Sequence, residues 1–154
     1  MAISKFEENI RGLPPNYGSY DAQACEKKED LTKLNTLRHL ASDVENESIQ
    51  TPIALNQDID VFGAELEEGK SISIEIPEGR QAYLLCVEGS LGLDSGKTLK
   101  RHDTAELFGN TKLKVTAKEA EETENGKLAH LLLFCHGGGS RIRPPRSCVV
   151  QQIV

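Results

Sequence analysis

Ser71-Ile72-Ser73-Ile74-Glu75-Ile76 alternates a polar residue with isoleucine for six positions. Spacing of two puts three β-branched side chains on one face of an extended chain and leaves the other face polar. A helix would scatter the same residues around its axis, so this segment can only be a half-buried strand. Its surroundings repeat the theme. Pro77-Glu78-Gly79 turns the chain, and Ala82 to Val87 is a nearly continuous apolar run suited to a central strand covered on both sides. Gly89 closes that run, and Leu91 and Leu93 resume beyond it. Asp94-Ser95-Gly96 and Arg101-His102-Asp103 read as hairpin turns.

Leu113 and Val115 alternate with lysines, the pattern of an edge strand protected by charge. Glu119 to Gly126 reads as an acidic loop, and Leu128 to Phe134 as the last apolar strand. About eight short strands without a long helix predict an all-β sandwich or closed barrel. The chain of 154 residues suffices for one such domain and not for two of full size. Trp is absent and aromatics are 5%, so Leu, Ile, Val and Ala must fill the core.

Composition divides the chain into three parts. Residues 1–50 are polar and irregular, with Pro14-Pro15-Asn16-Tyr17-Gly18 as extended chain or turn. Within them Asp30 is a candidate N-cap for a short helix to Ala41, since Leu31, Leu34 and Leu37 recur at helical spacing. Residues 51–136 hold the strands. Residues 137–154 are a linker-like glycine run followed by Arg141, Arg143, Pro144, Pro145 and Arg146, expected to be a disordered tail. Proline-rich docking is its less favoured reading.

The formal net charge is −6. That balance disfavours nucleic acid and anionic membranes as partners, because the long-range field repels both. No apolar run approaches the roughly 20 residues that span a bilayer, and Met1 to Gly12 lacks the apolar core of a secretion signal. The expectation is an intracellular protein, cytoplasmic or nuclear. Cys25, Cys86, Cys135 and Cys148 have no CxxC spacing. They read as free thiols, with Cys86 and Cys135 acting as small core hydrophobes. Asn46-Glu47-Ser48 is then a chance match to a glycosylation acceptor.

Candidate chemistry is sparse. Ser95-Gly96-Lys97-Thr98 resembles the end of a phosphate loop, but Leu91 stands where its first glycine belongs and a strand follows where a helix should open. His39, His102, His130 and His136 are too far apart in sequence to suggest a local metal or catalytic cluster. No Gly-x-Ser-x-Gly elbow is present.

Gln57 to Gly69 and Gly79 to Leu91 resemble the second cupin domain of the pirin-like bicupin family, and more closely its members related to quercetin 2,3-dioxygenase. Leu99 to Leu107, with Asp103 ending a turn, resembles the family's following turn and strand. Leu132-Leu133-Phe134 resembles its last strand. Pro14 to Ser42 is similar to the segment joining the two domains, so the resemblance runs from Ile10 to Phe134. It implies a cupin-type (jelly-roll, RmlC-like) β-barrel with an irregular N-terminal extension. In that family a complete first barrel carries the iron-binding histidines and glutamate. Here only a short lead precedes the second, and the tail fits no family pattern, as expected of a fragment, an alternative product or a misjoined gene model.

The resemblance also locates where a catalytic cupin keeps its metal ligands. If Gly89 is the strand-ending glycine, the glutamate station is Ala82. The paired-histidine stations are Glu75 and Pro77, or Ile76 and Glu78, and the later histidine station is Ala105. No histidine falls on any of them. We therefore assign no catalytic, cofactor-binding or metal residue. The leading expectation is a metal-free C-terminal cupin with a structural or protein-interaction role, not a catalyst by itself. Its partner would be a separate cupin domain or a second copy. The alternatives are a metal-dependent quercetin 2,3-dioxygenase, whose site would need His102, His130 or His136, and a cupin that binds a small molecule in its mouth.

Overall fold

The computed structural model describes residues 33–44, 51–124 and 126–137. The tail, Asn46, Pro14 to Gly18, Cys25 and Cys148 lie outside them. Eleven strands are present among the described residues: β1 (Arg38–Asp43), β2 (Ile53–Leu55), β3 (Ile59–Glu67), β4 (Ser71–Ile76), β5 (Arg80–Glu88), β6 (Ser90–Leu93), β7 (Thr98–Leu99), β8 (Thr104–Phe108), β9 (Thr111–Glu119), β10 (Glu121–Thr123) and β11 (Gly126–Gly137). One sheet runs β2-β1-β3-β11-β5-β8, with β10 added on β11. The other runs β4-β9-β6-β7. Every pairing is antiparallel except β1 with β2.

The core lies between the two sheets and is built by period-two alternation. Ile72, Ile74 and Ile76 of β4 point inward, as the sequence pattern requires. They meet Leu84 and Cys86 of β5, Leu131 and Leu133 of β11, and Leu113 and Val115 of β9. At about 25 cal/mol per Å² this aliphatic burial is the main driving force, and no aromatic centre is needed. The turns fall where Gly and Asp predict them. Gly79 (φ 81°) and Gly96 (φ 85°) take left-handed backbone that a β-carbon resists.

Several expectations change. Residues 38–41, read as the end of a helix, lie in β1 and hydrogen-bond to β3; residues 30–32 lie outside the description. Pairing within the sheet overrides the weak helical spacing there. The lysine-alternating strand is not an edge. β9 lies between β4 and β6, and Lys112, Lys114 and Lys118 simply face solvent. One of them, Lys118, lays its stem over Gly92. The acidic loop contains β10, which pairs with the first residues of β11. β5 is central as expected but not covered on both sides: Ala82, Leu84 and Cys86 are buried while Tyr83 is 42% exposed. Cys86 is a free buried thiol. Cys135, in contrast, is disulfide-bonded, which corrects its reading as a free thiol. A cysteine's place in an apolar strand says nothing about which distant cysteine the fold brings near.

Candidate functional site

One end of the barrel interior is polar. Arg80 opens β5 in register with Ala82, Leu84 and Cys86, so its side chain enters the core instead of leaving it. It is 1% exposed, the largest fully buried side chain of the described residues. Asp60 of β3, 2% exposed, points inward by the same arithmetic, sharing a face with Phe62, Ala64 and Leu66. Asp60 and Ala82 flank Cys135 of β11 on either side. The ladder order β3-β11-β5 thus converges these residues at one height.

Four of the five guanidinium N–H donors have partners within the fold. Its Nη1 donates to Asp58 Oδ1 at 3.0 Å, and its Nη2 donates to Asp60 Oδ2 at 3.2 Å and to the Cys135 carbonyl at 3.3 Å. Nε donates to Cys135 Sγ at 3.4 Å. The other oxygen of Asp60 lies 2.9 Å from His39 Nε2, and the imidazole stacks on Phe62 with centroids 4.3 Å apart. A buried arginine survives in an apolar core only when its charge is paired and its donors are used. The charge is paired with Asp58 and Asp60, and four of the five donors are used. The cluster forms a polar plug, held together by its own ion pairs and hydrogen bonds, within the otherwise apolar interior.

The stations carried over from the family resemblance split by face. Ile76 and Ala82 are fully buried and Ala105 packs against the core. Glu75 points outward, 3.7 Å from Lys112 Nζ, and Glu78 is exposed in its turn. The inward stations therefore offer two methyl groups and a sec-butyl group, none of which is a Lewis base. They do not fit a divalent metal, which needs several converging N, O or S donors. Among the described residues no group of three His, Cys, Asp or Glu is placed to hold a metal ion.

The four histidines do not converge. His39 belongs to the plug. His102 occupies an exposed turn at φ 68°, where its amide caps the Cys86 carbonyl at 2.7 Å. His130 and His136 lie half-buried on β11, and His136 stacks with Tyr83 at 6.0 Å. Ser95 to Thr98 is a turn into β7, as the sequence implied, and not a phosphate loop.

Two titrations stand out. Burial, reinforced by Asp103 and Glu121, pushes the Cys86 thiol up to about 11, so it is an inert core group at neutral pH. The Glu106 carboxylate, which accepts from the Tyr83 hydroxyl at 3.3 Å, raises that phenol above its ordinary value. Among the described residues no helix is long and apolar enough to cross a membrane.

Sequence reasoning missed the plug. The signal was there, since Arg80 and Asp60 keep the parity of the core residues on their strands. What was lacking was the neighbouring strand that makes such burial affordable.

The family model described as the quercetinase C-terminal cupin domain matches residues 40–134. No curated protein sequence matches the chain. Among solved structures, quercetin 2,3-dioxygenase from Acinetobacter baumannii is similar at 16% identity and TM-score 0.52, covering 66% of this chain and 32% of that one. YhhW from Escherichia coli is similar at 14% identity and TM-score 0.56, covering 81% of this chain and 44% of that one. The same bacterial pirin in complex with nickel(II) gives 13% identity and TM-score 0.52, covering 68% and 41%. This chain thus matches less than half the length of each. At such identities the likeness establishes the cupin barrel and nothing finer.

Proposed function

The chain belongs to the quercetinase C-terminal cupin domain family, and from that premise we propose that it is a metal-free barrel that binds a protein surface instead of performing chemistry. The observation that carries this reading is the filling of the inward ligand stations by Ile76, Ala82 and Ala105. Apolar side chains stand where a catalytic barrel would need imidazoles and a carboxylate, and the nearby Glu75 and Glu78 face away. The plug around Arg80 supports the same reading, because four of the five guanidinium donors are already satisfied within the fold. What remains open to a partner is the outer surface, including Tyr83 and Phe108.

The test is metal content per chain after incubation with iron(II), manganese, nickel or copper and removal of free ion. Near-zero retention for all four is expected. One tightly held ion per chain would overturn the reading, and turnover of quercetin by that loaded form would replace it with the dioxygenase alternative.

A further inference from the structure

The outer face of the larger sheet carries its side chains in rows that the register fixes. Leu132 lies beside Leu85, and Phe134 lies between Val61 and Tyr83. In the next row His136 lies between Ile59 and Gln81, with Phe108 beyond Gln81 on β8. Tyr83 and Phe108 are 42% and 56% exposed, large aromatic areas to leave in water. Polar groups surround this centre: Glu65, His130 and Glu88 at one end, Glu106 at the side. An apolar centre with aromatic anchors and a polar rim is the anatomy of a protein interface.

We propose that this face is the contact between two copies of this chain, related by a two-fold axis that runs along the strands between β11 and β5. The proposal rests on the reading of the barrel as an interaction module. Such an axis exchanges β11 with β5 and β3 with β8 while keeping every row at its own height. It sets Phe134 against Tyr83 of the second copy, Leu132 against Leu85, and Ile59 against Phe108. At the rim it sets His130 against Glu88, an imidazole within reach of a carboxylate acceptor. Val61 meets Glu106, the one mismatch, and it lies away from the axis where a carboxylate can stay wet. Facing sheets cross at up to about 30°, so the pairs closest to the centre hold best, and these are Phe134 with Tyr83 and Leu132 with Leu85, with His136 against Gln81 beyond them.

The area sets the strength. Three strands about 30 Å long or more and the five-residue β8, about 4.8 Å apart, present roughly 500 Å² in projection, somewhat below the roughly 600–1,000 Å² that each partner gives a standard complex and in the range of weak, reversible contacts. A reversible dimer with a dissociation constant on the order of micromolar is expected.

Sedimentation equilibrium of the full chain across a wide concentration range tests this directly. A monomer–dimer equilibrium is expected. Tyr83→Lys and Phe108→Lys should each weaken it about 100-fold, since an anchor costs at least about tenfold and the symmetry counts it twice. Both positions are exposed, so circular dichroism and Tm should stay unchanged. Lys112→Glu on the opposite sheet should leave association as it was. A monomer at every concentration, or a dimer that both lysine variants leave intact, would overturn the proposal. Metal content measured on the same samples separates the two ideas. A metal-free monomer sinks the interface alone, and a metal-loaded dimer sinks the metal-free reading alone.

Discussion

Replacing Arg80 by methionine removes the cation from the buried plug while keeping most of the side chain's volume. Four hydrogen bonds go with it, two to carboxylates and two to Cys135. The carboxylates do not suffer equally. Asp58 is 34% exposed on its side chain and can turn to water, so its loss is small. Asp60 is 2% exposed and keeps only His39 Nε2, leaving a charge in the core with one partner. Breaking a buried pair from one side costs about 3–5 kcal/mol, a large share of the roughly 5–15 kcal/mol that holds a domain together. With a urea slope of about 2 kcal/mol per molar, the midpoint should fall by about 1.5 M or more. Equilibrium urea unfolding followed by circular dichroism is the assay. The double variant Arg80→Met/Asp60→Leu should recover much of the loss, because it removes the stranded charge together with its partner. Should Arg80→Met cost less than about 1 kcal/mol, or should the two substitutions add independently, the plug is not a coupled buried ion cluster and the reasoning fails.

Gly89→Ala and Gly96→Ala make a matched pair, because both glycines have positive φ (74° and 85°) but only Gly89 is crowded. A β-carbon at Gly96 meets nothing within 4 Å and should cost about 1–2 kcal/mol. At Gly89 it runs into the Glu119 carbonyl oxygen, so about 3 kcal/mol or more is expected in the same unfolding assay; equal costs would show that β6 can shift freely. Leu131→Ala, at a fully buried position between the sheets, should cost about 2–5 kcal/mol through the cavity it leaves, and a Tm unchanged in calorimetry would contradict the packing described. With its pKa lifted from 9.0 to about 11, Cys86 holds about 100-fold less thiolate at neutral pH than an ordinary thiol. Its alkylation by iodoacetamide, followed by mass spectrometry, should be slower by at least that factor. The sign of the linkage follows: the raised pKa contributes stability below pH 9 that is lost as pH rises through about 11. Unfolding midpoints that do not fall across that window would remove Cys86 from the account.

Local alternation alone determined most of the strands. The three isoleucines of β4, the turn at Gly79, the hairpin at Asp94 to Gly96 and the core parity of β5 all follow from side chains pointing to opposite faces at a period of two. The burial of Ile76 and Ala82 was also legible, since both keep the inward parity of their strands. Three things were decided only by the tertiary structure, each for the same reason: which strands become neighbours is a long-range choice. β1 became a strand because β3 offers it a ladder, against the helical spacing of Leu31, Leu34 and Leu37 just before it. β9 became interior because β4 and β6 flank it, and its lysines could not announce that. Arg80 could be buried because Asp60 and Cys135, far off in sequence, arrive beside it on β3 and β11. A single strand carries the parity of its side chains, but the partner that satisfies a buried charge belongs to another strand.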